Sequence, residues 1–186
     1  MTTSQLYLFN CLYLAVMLVV AFFTRATVRR IAGALAGGAA FAVVALGIIA
    51  LGEKAAWWHM VLTWEPYFMT LLLVGFALCG SIHLVTWRIV RRFGGRGLVV
   101  VAIIAAIIGP PRDYFYMARF PQWGAYAPGM APILVTAASY AVMVLLGYGV
   151  MRAVAGPAGA DRLARRPWGP AEAPAPRDGG RLEPFK

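Results

Sequence analysis

The hydrophobic positions of this chain run in long unbroken blocks, not along one stripe of a helix. From Leu6 to Thr24, Ile31 to Gly52, Pro66 to Trp87 and Gly129 to Met151 nearly every residue is apolar or small, and polar residues gather between the blocks. A helix that is apolar all round belongs in lipid or in a very large core. About 20 helical residues, at about 1.5 Å each, cross a hydrocarbon layer about 30 Å thick, and all four blocks are of that order. A fifth block starts at Leu98 and is interrupted after Gly109 by Pro110 and Pro111. Its uninterrupted part covers only roughly 18 Å. Adjacent prolines remove two backbone donors, so the expectation is a fourth helix that continues, kinked at Pro110 and Pro111, as far as Tyr116.

The pattern thus predicts an all-α, polytopic bundle over residues 1–155, with spans near 6–24, 31–52, 66–87, 98–116 and 129–151. Residues 156–186 are rich in Pro, Gly, Ala and Arg and poor in large apolar residues. Such a segment buries too little surface to fold, so a disordered basic tail is expected. Composition agrees: 61% of the 186 residues are hydrophobic and 13% charged, with a mean hydropathy of +0.72. Soluble domains carry about 25% charged residues.

Charge adds direction, because short cytoplasmic loops collect arginine and lysine. With five crossings, 14 basic residues fall on one side, from Arg25, Arg29 and Arg30 through Arg88, Arg91, Arg92 and Arg96 to the tail, against Lys54, Arg112 and Arg119 on the other. If the Leu98 block failed to cross, the tail would share a side with Arg112 and Arg119, against the rule. The amino terminus is therefore expected outside and the carboxyl terminus in the cytoplasm of a bacterial inner membrane, a source that the Ala-, Gly-, Arg- and Pro-rich composition suits. The net charge of +10 then lies wholly on the inner side, facing anionic lipid. Nucleic acid, which asks for a folded basic face with interleaved aromatics, is not an expected partner. Charges follow the first block instead of preceding it, so that block is expected to stay as a helix and not be cleaved as a signal sequence.

Several chemistries lack their residues. No lysine lies within a span and no carboxylate lies at the middle of one, which disfavours a retinal Schiff base, a carboxylate proton relay and a pair of acids on magnesium. His59 and His83 are the only histidines. The first precedes the third span and the second lies roughly 26 Å down it, so they do not share a metal. Both read as interface or packing residues. His83 would become an axial ligand only with a second ligand from another subunit. Cys11 and Cys79 sit inside spans as small fillers. No metal and no cofactor is expected.

Two outer segments hold the unusual side chains: Trp57, Trp58, His59, Trp64 and Glu65 in one, and Arg112, Asp113, Tyr114, Tyr116, Arg119, Trp123 and Tyr126 in the other. Trp and Tyr at this level form an aromatic belt. The same residues would also build an outward-facing amphipathic pocket, with Arg112 meeting a polar head and the rings stacking on an apolar body, or equally a purely structural ion pair that closes the outer rim of the bundle. Arg112 lies inside the membrane edge and needs a partner. The candidate partners are Glu65 across the bundle and, if the chain turns after Pro111, Asp113 itself, since neighbours on a helix point about 100° apart; Arg119 then competes for the same acids.

Small residues complete the picture. Gly33 and Gly37, with Gly38, Ala40 and Gly47, give the second span a close-approach face; Gly75 and Cys79 do so in the third, and Ala137, Ala141, Gly147 and Gly149 in the fifth. That motif serves internal packing, a homo-oligomer or a partner subunit alike. Asn10 is expected to make one interhelical hydrogen bond. The function expected is non-enzymatic: binding of a lipid, isoprenoid, quinone or tetrapyrrole at the outer face, or service as an accessory subunit. The alternatives are a small membrane enzyme acting on a lipid or isoprenoid through Asp113, Arg112, His59 and Tyr114, and a transporter.

Overall fold

The computed structural model describes residues 3–60, 74–121 and 124–159. Trp64, Glu65, Trp123, the start of the third block and tail residues 160–186 lie outside the described residues. The chain is mostly helical. Among the described residues there are five helices, α1 (Thr3–Thr24), α2 (Val28–Lys54), α3 (Gly80–Phe93), α4 (Gly95–Arg119) and α5 (Met130–Ala155), and two strands, β1 (Trp58–Met60) and β2 (Gly124–Tyr126). A π-helical stretch, Val74–Cys79, leads directly into α3.

Helices α2, α4 and α5 are long and apolar enough to cross a membrane; the apolar part of α1, Asn10–Thr24, is shorter. The described helices run past the apolar blocks because backbone hydrogen bonding does not stop where hydropathy does. At the end of α3, Arg91 and Arg92 favour the helix by facing its carbonyl end. Helix α4 runs on through Pro110 and Pro111 to Arg119, beyond the Tyr116 expected from sequence. Gly94, with φ of 62°, makes the one-residue turn between α3 and α4, a conformation in which a side chain is disfavoured. Leu18 and Phe23 of α1, Val43 of α2, Ile107 and Ile108 of α4 and Leu134 of α5 are exposed, an outer surface suited to hydrocarbon and not to water.

Packing is closest between α2 and α5. A Cβ on Gly37 would stand 2.5 Å from the carbonyl oxygen of Gly147, and one on Gly33 would stand 2.7 Å from Ala155 Cβ, so the backbones approach as far as glycine allows. His83 of α3 fills the same crossing: it is 0% exposed, lies edge-on to Phe41, and occupies the space a side chain on Gly147 would need. Neither ring nitrogen has a hydrogen-bond partner among the described residues. Gly47 and Gly149 take no part in this internal packing, since a Cβ at either would meet nothing among the described residues. Asn10 is a second correction: its Oδ1 is buried and meets no donor among the described residues.

At one end of the bundle α2 and α5 are fastened by Arg30, which is 0% exposed. Its Nη1 donates to Gly156 O at 3.0 Å, and its Nη2 to Ala155 O and Pro157 O at 3.2 Å. These carbonyls belong to the last residue of α5 and the two that follow it, where no further helical N–H arrives. A cation placed there meets the negative end of the helix dipole. The guanidinium also lies 5.1 Å from the centre of the Trp87 ring, so α3 joins the same knot. Trp87, Leu84, Met151 and Ala34 pack around it as the apolar core.

Candidate functional site

The opposite end carries the residues singled out from sequence. Helix α2 ends at Lys54, and the chain folds back so that Trp58 lies against it. Trp58 Nε1 donates to Ile49 O at 3.0 Å, and Gly52 leaves the room that the indole occupies. Strand β1 pairs antiparallel with β2, Trp58 opposite Tyr126, His59 opposite Ala125 and Met60 opposite Gly124. Glu53 fixes the strand by accepting from the Met60 N–H at 3.0 Å. Side chains alternate along a strand, so Trp58 points inward and His59 outward, where it is exposed.

Above this ribbon four rings are in series. Trp57 lies 6.1 Å from Trp58, Trp58 meets Tyr126 edge-on at 5.8 Å, and Tyr126 stacks on Tyr114 of α4 at 4.2 Å and 13°. The Tyr114 hydroxyl oxygen is buried and has no partner among the described residues. Burial pushes the Tyr126 phenol up to about 12, with the nearby Asp113 carboxylate acting in the same sense and a hydrogen bond with Thr136 acting against it.

Asp113 belongs to a compact polar cluster between α4 and α5. Arg112 donates from Nε at 3.0 Å and from Nη2 at 2.7 Å to Asp113 Oδ1, and from Nη2 also to the Tyr140 hydroxyl. That hydroxyl lies 2.9 Å from Asp113 Oδ2. The Arg112 guanidinium sits 5.3 Å from the Tyr140 ring centre. Gly109, one helical turn before Asp113, gives the ring its seat, for any Cβ there would overlap Tyr140. Asp113 is thus a partner of Arg112 on an unbroken helix, which corrects the expectation that a chain turn would be needed. The long arginine side chain curls back, and Tyr140 supplies the surface it curls against. Glu65, the other expected partner, is outside the described residues.

The two clusters share one end of the bundle, since Asp113 acts on Tyr126. Other expected members stand apart. Tyr116 stacks on Phe120 and meets Phe115 edge-on, and Arg119 is exposed near the end of α4. Tyr140 is the residue that sequence reading missed. Its signal was a phenol inside an apolar helix, a group that has to find a hydrogen-bond partner. Among the described residues no three His, Cys, Asp or Glu side chains converge as metal ligands.

No family model, curated protein or solved structure matches this chain. Its class is therefore defined by its own architecture, a helical bundle with, among the described residues, three helices long and apolar enough to cross a membrane.

Proposed function

We propose that the chain is a five-span protein of a bacterial inner membrane, amino terminus outside and carboxyl terminus in the cytoplasm, with α4 bent where Pro110 and Pro111 withdraw their donors. Its function in this reading is to bind an amphipathic hydrophobic molecule, a lipid, isoprenoid, quinone or tetrapyrrole, at the outer end of α4. The observation that carries the reading is Arg112: 48% of its side chain is exposed while Asp113 and Tyr140 hold its Nε and Nη2. Its Nη1 edge has no partner among the described residues and is left to meet a carbonyl, carboxylate or phosphate. The rings of Tyr114, Tyr126 and Trp58 offer an apolar wall beside it.

The same geometry favours binding over catalysis at Asp113. Its carboxylate faces both Arg112 and Tyr140, and a base already paired on two sides is poorly placed to take a proton from a substrate.

Gentle detergent extraction followed by mass spectrometry and absorbance tests the reading. The wild-type protein should bring down a stoichiometric apolar molecule with a polar head, and Arg112→Ala should lose it while eluting as a folded species. Recovery of the same molecule from that variant would remove the site. Reporter fusions test the topology, with residue 120 expected outside and residue 180 inside.

A further inference from the structure

At the end of the bundle remote from Arg112, a groove of roughly 450 Å³ opens on the last turn of α3, lined by Arg88, Ile89, Arg91, Arg92 and Phe93. Arg88 and Arg92 stand four residues apart and therefore on one helical face, where like charges repel. Arg88 is half-buried, yet it has no hydrogen bond or ion pair among the described residues. Arg92 lies 5.3 Å from the centre of its neighbour Phe93's ring, and Arg91 reaches Ala158 O at 3.2 Å.

No carboxylate of the described chain is available to neutralise them. Between Thr3 and Gly159 the only acids are Glu53, Glu65 and Asp113. Glu53 is tied to β1 and Asp113 to Tyr140, both at the other end, and Glu65 lies outside the described residues. Arg25, Arg29, Arg30 and Arg152 crowd the same end as the groove and add to its positive field. A half-buried arginine with no counter-charge among the described residues, one helical turn from a second arginine beside an open groove, is arranged for an anion.

We propose that this groove is a site for an anionic phospholipid, its phosphate bridging Arg88 and Arg92 and its acyl chains following the apolar side chains of Ile89 and Phe93. Phe93 is 59% exposed, so the acyl path leads outward from the bundle. A lipid fits better than a free anion because the groove is part apolar and lies at the end of helices whose outer faces are apolar. The site is independent of the one at Arg112.

The test uses the full chain in nanodiscs of phosphatidylcholine doped with phosphatidylglycerol, read by native mass spectrometry. One phosphatidylglycerol should remain with each chain. The double variant Arg88→Gln, Arg92→Gln should hold it roughly thirty-fold more weakly, two headgroup-level charges having gone. Arg152→Gln, at the same end but outside the groove, should retain it. Equal retention by the double variant, or equal loss from Arg152→Gln, would overturn the proposal. So would displacement by millimolar inorganic phosphate, which would make the groove a free-anion site. If the double variant does not fold, the wild-type protein decides alone: preference for phosphatidylglycerol over phosphatidylcholine without displacement by phosphate supports the site, and equal retention of the two lipids rejects it.

Discussion

Tyr140 reaches from α5 to Asp113 on α4, its hydroxyl 2.9 Å from Oδ2 and 3.1 Å from Oδ1. The same oxygen accepts from Arg112, so one phenol both donates to the acid and accepts from the base of an ion pair. This makes an inter-helix tie out of a pair that belongs to a single helix.

Tyr140→Phe keeps the ring on Gly109 and removes only the hydroxyl. The ion pair should persist in looser form, with a loss of about 1–2 kcal/mol, as expected for hydrogen bonds to charged groups at a partly exposed site. Thermal unfolding in detergent measures it. A variant as stable as wild type would mean that the tie contributes nothing. If the proposed ligand sits on Arg112, the same variant should also retain less of it.

Arg30→Met should be far more damaging than Arg29→Met one position earlier. Arg30 is buried and serves three carbonyls at the end of α5, whereas Arg29 is exposed. The first change should cost about 3 kcal/mol and the second no more than about 0.5 kcal/mol. Arg30→Lys should fall between them, since an ammonium still donates but has no planar face for Trp87. Equal thermal stabilities for the two Met variants would refute the fastening role.

Glycine substitutions separate packing faces from lipid faces. Gly37→Ala forces a methyl against Gly147 and His83 and should destabilise by about 1–3 kcal/mol through overpacking. Gly47→Ala meets open space and should be neutral or stabilising by up to about 1 kcal/mol through helix propensity. Paired melting curves check the contrast, which vanishes if α2 and α5 do not touch as described.

Tyr126 supplies a pH dependence. Its phenol, raised to about 12 from an ordinary 10.0, is protonated in the folded state where the unfolded chain would already ionise. The associated stability is complete below pH 10 and declines as pH rises towards 12. A difference absorbance titration of wild type against Tyr126→Phe should show one phenol ionising near 12. Ionisation near 10 would mean that the ring is not buried in the aromatic series.

Sequence and structure agree best where one physical rule suffices. Helices α2 and α5 follow from the apolar blocks beginning at Ile31 and Gly129, because lipid-facing backbone has to close its own hydrogen bonds and only a long helix does so within one segment. The blocks underestimate length, since Arg29, Arg30, Glu53 and Lys54 still belong to α2 while raising no hydropathy signal. The partner of Arg112 was hidden for another reason. Hydropathy reports how far along a helix a residue lies but not its azimuth, and only the azimuth of α5 brings Tyr140 over Gly109. Arg30 shows the same limit: counted as one more loop arginine, it is the most enclosed charge in the described fold. Strand pairing of Trp58 with Tyr126 depends on two loops meeting in space, which neither three-residue segment announces by itself.

The fastening of Arg30 has a bearing on biogenesis. The cation arrives with the second helix to be made, but the oxygens that receive its protons belong to residues 155–157, after the last. Until α5 is in place, Arg30 lacks the three carbonyl acceptors that enclose it in the finished bundle. The tie between the second and the fifth helix therefore forms only once both have been made, so it is a late contact however early its cation is synthesised.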